Sequence, residues 1–506
     1  MTLFETDIMN KADAWIAGHR GELVEDIKKL VRIKSVNDAG SDVEPYGQGC
    51  RDVIDRALEI CAGYGFETKN HGYRCCTAIL PGTGEGAEQR INADAESRAG
   101  AGTGQRAGSG TGQRAGTIGI FNHIDVVPEG NDWTFPPYEP FEKDGYVTGR
   151  GSSDNKGPSV ASLFTLRCLR DIGVTLKHDA LLFLGAAEEV GMDDVGYFLE
   201  NNPAPKFSFT PDSMYSVCHG EKGILCARFA RNIAGGNLVS FKGGQITNSV
   251  ADRAEAVIKG VSLEAARKAV SGYDKVTARV CDDVSKLCGG DVKILISAVG
   301  VAKHAAFPDG SVNAIQLLAR VLSEQSLATG PALSAMKFIA SAFADNYGAG
   351  LDIASEDDVS GATSCIGGLA WMDGSVYHQD INVRYAIKTD VAQLRRNLST
   401  KCAENGFTLT LFNDSKPCYT PADSPLVLAM DRAVGEFYGD RFKPYIMGGG
   451  TYARKLPNAV GFGPETDEHA GPFNGAHQPD EAVSIDVLLN AIKINLLALI
   501  RLDALL

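Results

Sequence analysis

Apolar positions recur at helical spacing between residues 12 and 32, at Ala14, Trp15, Leu23, Ile27, Leu30 and Val31, and again from Cys50 to Gly63, which predicts two opening helices. Short β-rich runs follow at Thr77–Leu80 and Ile118–Val127. Then come a helical pattern over Gly157–Ile172 and an unbroken apolar run at Asp179–Ala187 that reads as a buried strand. This alternation predicts an α/β layered architecture. From Val217 to Asp414 the units become shorter: helix Leu263–Ser271, strand Val292–Val299, helix Ala314–Glu324, strand Asp380–Ile387 and helix Val391–Glu404. That change of style predicts an inserted α+β domain over 217–414, long enough for two α+β subunits, between segments 1–216 and 415–506 of a first domain. The last segment carries a helix at Leu426–Tyr438, a glycine-rich turn at Gly448–Gly450 and a closing helix from Ser484.

One stretch fits no element. Residues 94–116 are mostly Gly, Ala, Ser, Thr and Arg, and GTGQRAG occurs twice, at 102–108 and 110–116. No strand leads into the doubled GTG and no GK[ST] follows, so a low-complexity, flexible surface insert is expected rather than a nucleotide loop. A chain of 506 residues exceeds what one core usually organises. The net charge of −14 argues against nucleic-acid binding, which needs clustered Lys and Arg. No basic region followed by an apolar run opens the chain, and Lys493, Arg501 and Asp503 interrupt the apolar tail from Val487 to Leu506. That tail is expected to be an amphipathic helix, and the protein cytoplasmic with no membrane partner. Its 12 cysteines contain no CxxC pair and are expected to be reduced and mostly buried.

The chemistry sits at strand ends and loops. Ile118–Val127 closes on Asn122, His123, Ile124 and Asp125, and a period of two puts His123 and Asp125 on one side. Asp154 lies in the glycine-rich GRGSSDNKG just before a helix. The apolar strand Leu181–Ala187 runs straight into Glu188 and Glu189, two carboxylates that are costly there unless something cationic receives them. Asp212 follows Thr210 and Pro211, and His477 lies in AHQPDE before the closing helix. Singly, each has a bland reading as a cap, turn or surface residue. Jointly, these residues supply the N and O ligands that zinc accepts, including a carboxylate able to bridge two ions.

In order and context, NHIDVVPEG with DWTFPP behind it, GRGSSDNKGP, AAEEVG, PDSMYSVCHGEKG and AHQPDE resemble the M20 family of co-catalytic zinc peptidases and deacylases. FKGGQITNSVADRAEA, from Phe241, is similar to the PepV-type dipeptidases within it. The resemblance implies a mixed-sheet zinc-peptidase catalytic domain with an inserted, ferredoxin-like α+β lid. It implies two Zn2+, with Mn2+ or Co2+ as substitutes, one held by His123, Asp154 and Asp212 and the other by Asp154, Glu189 and His477. Asp154 bridges. Glu188 is then the general base, Asp125 orients His123, and a cis peptide joins Asp154 to Asn155. His304, in VAKHAAFPDGSVN, matches the family's lid histidine that stabilises the oxyanion. Asn248, Arg384 and the loop Gly448, Gly449, Gly450 and Thr451 match substrate-holding positions, with Arg384 suited to a C-terminal carboxylate. His469 rivals His477 as ligand, although AHQPDE favours the latter, and His219 is unassigned.

The implied activity is hydrolysis of dipeptides or other short peptides. An N-acyl amino acid deacylase and a zinc-binding pseudoenzyme are the alternatives. A small peptide is the expected partner of a chain that works as a monomer, dimerisation being optional.

Overall fold

The computed structural model describes residues 1–84, 116–281, 292–466 and 471–506. Most of the repeat-bearing insert, 94–115, and His469 lie outside the described residues. The chain forms two compact units, one of Met1–Gly220, Tyr419–Tyr445 and Thr451–Leu506, the other of Glu221–Cys418 with Ile446–Gly450.

In the first unit a mixed sheet carries, in spatial order, Glu67–His71, Cys75–Leu80, Asp179–Gly185, Thr117–His123, Phe207–Thr210 and Ala459–Gly461. The last four run parallel to one another, while the first two pair antiparallel at the edge. Period-two alternation sends side chains to two cores. Ile118, Ile120, Ala180, Leu182 and Leu184 pack with helices Leu3–Val31, Gln48–Gly63, Gly157–Asp171 and Ile485–Leu505. Phe121, Leu181 and Phe183 face the opposite way, onto helix Asp193–Asn201 and Tyr452. The adjacent Cys76 and Cys75 divide between these same two cores, and the eleven cysteines among the described residues are all free thiols.

The strand expected over Ile118–Val127 ends at His123. Its parallel partner stops at Gly185, opposite His123, so ladder pairing runs out there. Beyond it Ile124 N bonds Gly185 O at 2.8 Å and Val126 N bonds Ser35 O at 3.0 Å. Four parallel strands therefore deliver their loops to one carboxyl edge, the usual site-bearing edge of an α/β sheet.

The second unit is one antiparallel sheet, ordered Val276–Val280, Lys293–Val299, Arg253–Lys259, Leu238–Gly243, Ser364–Asp373, Val376–Tyr385, Gly223–Asn232 and Thr408–Ser415. The ladder between its two four-stranded halves pairs Lys242 with Trp371 and Gly243 with Ala370. Helices Leu263–Val270, Ala314–Glu324, Gly330–Ala342 and Val391–Glu404 share its core. The glycine turn at Gly448–Gly450, placed by sequence in the third segment, folds with this unit. Lys222 N bonds Met447 O at 2.9 Å and Arg384 Nη1 bonds Gly448 O at 2.7 Å. Among the described residues no helix is long and apolar enough to cross a membrane.

Candidate metal centre

At the carboxyl edge of the first unit's sheet, His123, Asp154, Glu188, Glu189, Asp212 and His477 converge. His123 Nε2 lies 2.8 Å from Asp154 Oδ1 and 3.8 Å from Asp212 Oδ2. His477 Nε2 lies 2.9 Å from the other Asp154 oxygen and 3.1 Å from Glu189 Oε1. Asp154 is thus the shared member, with one carboxylate oxygen turned to each imidazole. Ligand-type atoms of His123, Glu188 and Asp212, and those of His123, Asp154 and Glu189, form two groups, each with all its atoms within 4.8 Å of one another.

Each side chain has a local reason to be there. Asp125 is fully buried, 3.3 Å from His123 Nδ1, and accepts from Glu188 N and Glu189 N at 3.2 Å each. Asp125 therefore orients the imidazole, through its backbone O at 3.1 Å from Nδ1 together with its carboxylate, and caps the turn bearing both glutamates. The Glu188–Val190 turn is held from behind by buried Asp194, which accepts from Ala186 N at 2.9 Å, Ala187 N at 3.0 Å and the Tyr452 hydroxyl.

The GRGSSD loop needs its glycines. Gly151 has φ +86°, and a Cβ there would sit 2.6 Å from Val126 Cγ1. The Asp154–Asn155 peptide is cis, in line with the resemblance. Asn155 donates to Pro211 O at 2.6 Å and to Asp212 Oδ1 at 3.1 Å while accepting from Asn122 Nδ2 at 2.8 Å, tying three site loops together.

Glu481, within AHQPDE, organises the loop that bears Asp154. Its Oε1 accepts from Gly151 N at 3.1 Å, Ser153 N at 2.9 Å and Asp154 N at 3.1 Å, and its other oxygen accepts from Arg150 Nη1. Both Glu481 and Arg150 are buried. The available signal was an arginine set between two glycines, a charge with no local partner. Asp194, Tyr452 and Asn155 had no comparable signal.

The electrostatics show a site short of positive charge. Burial, joined by the neighbouring Asp212, Glu189 and Asp154, pushes the Glu188 carboxyl well up. Burial and Asp154 raise Glu189 to about 7, and the same two causes raise Asp212. Hydrogen bonds to Asp154 and Glu189 lift His477 to about 11. Burial opposes charge on His123, but Asp125, Asp154 and Asp212 outweigh it, and the pair of imidazoles in turn holds Asp154 low against its own burial. Glu188 Oε1 is buried, with no hydrogen-bond partner among the described residues. Four crowded carboxylates, two imidazoles and an orphaned carboxylate oxygen form a donor set that fits a pair of divalent cations.

The second unit gathers the remaining predicted residues. Asn248 O accepts from Ala305 N at 2.9 Å, beside the bridge between Ser249 and His304. Ser364 Oγ donates to Ala305 O at 2.7 Å, and a Cβ on Gly448 would lie 2.7 Å from Ala306 Cβ. Asn248, His304, Arg384 and the loop Gly448–Gly450 are therefore neighbours. Thr451 belongs to the first unit, where its hydroxyl accepts from Ala453 N at 3.1 Å.

Comparison with known proteins supplies the family. The description "Peptidase family M20/M25/M40" matches residues 119–501. The chain belongs to that family. Among curated relatives of this M20 protein, YtjP of Bacillus subtilis (strain 168), named provisionally as a dipeptidase, is 29% identical over 93% of this chain and 95% of its own. A Beta-Ala-Xaa dipeptidase of Lactobacillus delbrueckii subsp. lactis is 27% identical over 93% and 94%. Human carnosine dipeptidase 1 shares the M20 fold at a TM-score of 0.55 and 14% identity, covering 98% of this chain and 99% of that one.

Proposed function

We propose that this M20 family member hydrolyses the peptide bond of free dipeptides with two Zn2+ ions, in the cytoplasm, where its free thiols stay reduced. The observation that carries the reading is the shared carboxylate Asp154, set between His123 and His477 with Glu189 and Asp212 alongside and Glu188 buried beside them. The relatives named as dipeptidases, matched over nearly their full length, support the substrate class.

His123, Asp154 and Asp212 would hold one ion, and Asp154, Glu189 and His477 the other. When bound, such ions lower the pKa of water and polarise a carbonyl. The protein's own residues do the rest. Glu188, whose orphaned oxygen faces no protein donor, takes the proton from the attacking water and passes it to the leaving amine. Asp125 holds His123 in one orientation. Arg384 is assigned the substrate's C-terminal carboxylate, His304 the reacting carbonyl oxygen, and Asn248, Gly449, Gly450 and, from the first unit, Thr451 the holding of the substrate.

Glu188→Gln tests the assignment, because the amide keeps the shape and loses the proton acceptor. Turnover should fall about 10²–10⁴-fold with metal stoichiometry unchanged. Two metal equivalents with near-native activity would remove Glu188 from the chemistry. A panel of free dipeptides, N-acetyl amino acids and tripeptides tests the substrate class, and preferential turnover of N-acetyl amino acids would refute it.

A further inference from the structure

Strand Asp179–Gly185 ends just short of Glu188 and Glu189, and the turn that follows is held largely by side chains. The parallel ladder stops at Gly185. Within the turn, the bonds from Val190 N to Ala187 O and from Gly191 N to Glu188 O are long, at 3.4 Å each, and Met192 N bonded to Ala187 O at 2.8 Å closes the bend. Four consecutive amides, those of residues 186–189, point at two buried carboxylates. Asp125 takes Glu188 N and Glu189 N, while Asp194 Oδ2 takes Ala187 N at 3.0 Å and, shared with Arg74 O, Ala186 N at 2.9 Å. Successive N–H groups of this kind form a nest for anions.

We infer that Tyr452 is a positioning residue, whose hydroxyl fixes Asp194 and thereby the turn that aims Glu188. This role rests on the reading of Glu188 as general base proposed above.

Tyr452 and Asp194 are both fully buried. The other bonds of the Asp194 carboxylate stay within its own stretch of chain, to Ala186 N, Ala187 N and, at 2.8 Å, Val195 N. The Tyr452 hydroxyl donates to Oδ2 from 258 residues away and ties that stretch to a distant part of the first unit. It bonds the same oxygen that receives Ala186 N and Ala187 N, so it fixes the acceptor of both. Burial and the neighbouring Asp194 push the phenol well above its ordinary value, so it stays a donor.

The fold leaves room for this pair. A Cβ on Gly185 would stand 2.0 Å from Tyr452 Oη and 2.3 Å from Asp194 Oδ2, so a side chain there would displace them. The ring is placed independently of its hydroxyl, edge-on to Phe183 at 5.5 Å and to His123 at 6.4 Å between centroids. Tyr452 also follows Thr451, assigned above to the substrate, and opens the short helix Tyr452–Lys455. One hydrogen bond thus links a substrate-holding residue's loop to the turn of the base.

Tyr452→Phe keeps the ring and deletes the hydroxyl. It is compared with Asp194→Asn on the metal-loaded full chain, each variant also being placed in a Glu188→Gln background. Tyr452→Phe should lower kcat for a free dipeptide about ten-fold, as for the loss of one hydrogen bond to a charged group, and leave KM within about two-fold and the metal content unchanged. In the Glu188→Gln background it should change kcat by less than about two-fold, since a base that is absent cannot be misaimed. Hydrogen exchange of the chelated chain gives a readout apart from turnover: the amides of 186–189 should exchange about ten-fold faster, with helix Gly157–Asp171 unchanged. Asp194→Asn should reproduce both effects. Equal kcat losses in the two backgrounds would overturn the role, as would native exchange at 186–189. Faster exchange throughout the chain with a lower melting point would mark the hydroxyl as merely structural and overturn it too. If Glu188→Gln alone retains near-native turnover, the general-base reading fails and this role with it. If Glu188→Gln is crippled while Tyr452→Phe and Asp194→Asn turn over normally, this role alone fails.

Discussion

Replacing Glu481 with glutamine removes one charge from the interior and changes almost nothing in volume. The Gln oxygen can still accept from the amides of Gly151, Ser153 and Asp154. Its NH2 group, however, is turned to Arg150 Nη1, donor against donor. Arg150 is 2% exposed, and its remaining contacts are a 3.2 Å bond to Glu129 O and the face of Trp133 at 5.2 Å. Neither carries a countercharge. Breaking a buried ion pair from one side costs about 3–5 kcal/mol because the survivor stays desolvated. That is a large part of an ordinary stability of about 5–15 kcal/mol, and corresponds to a melting point lower by about 5–15 °C in a unit of this size. The damage is aimed at the metal centre, since the loop that loosens bears Asp154. A loss of about 10–100-fold in metal affinity is expected, as for other groups that orient ligands from behind. Differential scanning calorimetry of the chelated protein reads the first effect, and competition with a fluorescent zinc chelator reads the second. Glu481→Gln with native melting point and native metal affinity would refute the argument, since the buried charge would then have found another partner.

Other outcomes follow from the same structure. Gly448→Ala should displace the Ala305–Phe307 loop, because its Cβ would stand 2.7 Å from Ala306 Cβ, and Ala306→Gly in the same chain should restore much of the lost kcat/KM; absence of rescue would show the clash is not the cause. Adding Zn2+ to chelated protein should stabilise it by about 4 kcal/mol per site at a thousand-fold excess over Kd, read as a rise in melting point, and His477→Ala should blunt that response. Glu5 is held down at about 2, chiefly by its hydrogen bond to Arg501, and so contributes stability that is complete above its unfolded value of 4.5. That contribution is lost as pH falls from there through about 2, so the stability gap between native protein and Glu5→Gln should shrink across that window in acid titrations followed by urea melts. A gap that stays constant from pH 5 to pH 2 would remove Glu5 from the acid response.

Much of the architecture was legible in the sequence because its helices and buried strands are strongly periodic. Helices Ala314–Glu324 and Val391–Glu404 occupy the residues their apolar spacing predicts. His123, Asp154, Glu188, Glu189, Asp212 and His477 were legible for a related reason. Each is a polar residue at the point where an apolar run or glycine loop ends, and parallel strands bring such points to one edge. What pattern could not supply was distance. Glu481 gathers the loop of Asp154 from 327 residues away, and nothing in AHQPDE names Arg150 as its partner. Gly448–Gly450 reads as part of the last segment, yet the bonds that Met447 O and Gly448 O accept from Lys222 N and Arg384 Nη1 tie it to the second unit. In each case the deciding quantity is the desolvation of a polar group. A buried charge or amide must find a partner wherever the fold brings one, and only the tertiary structure says which residue that is.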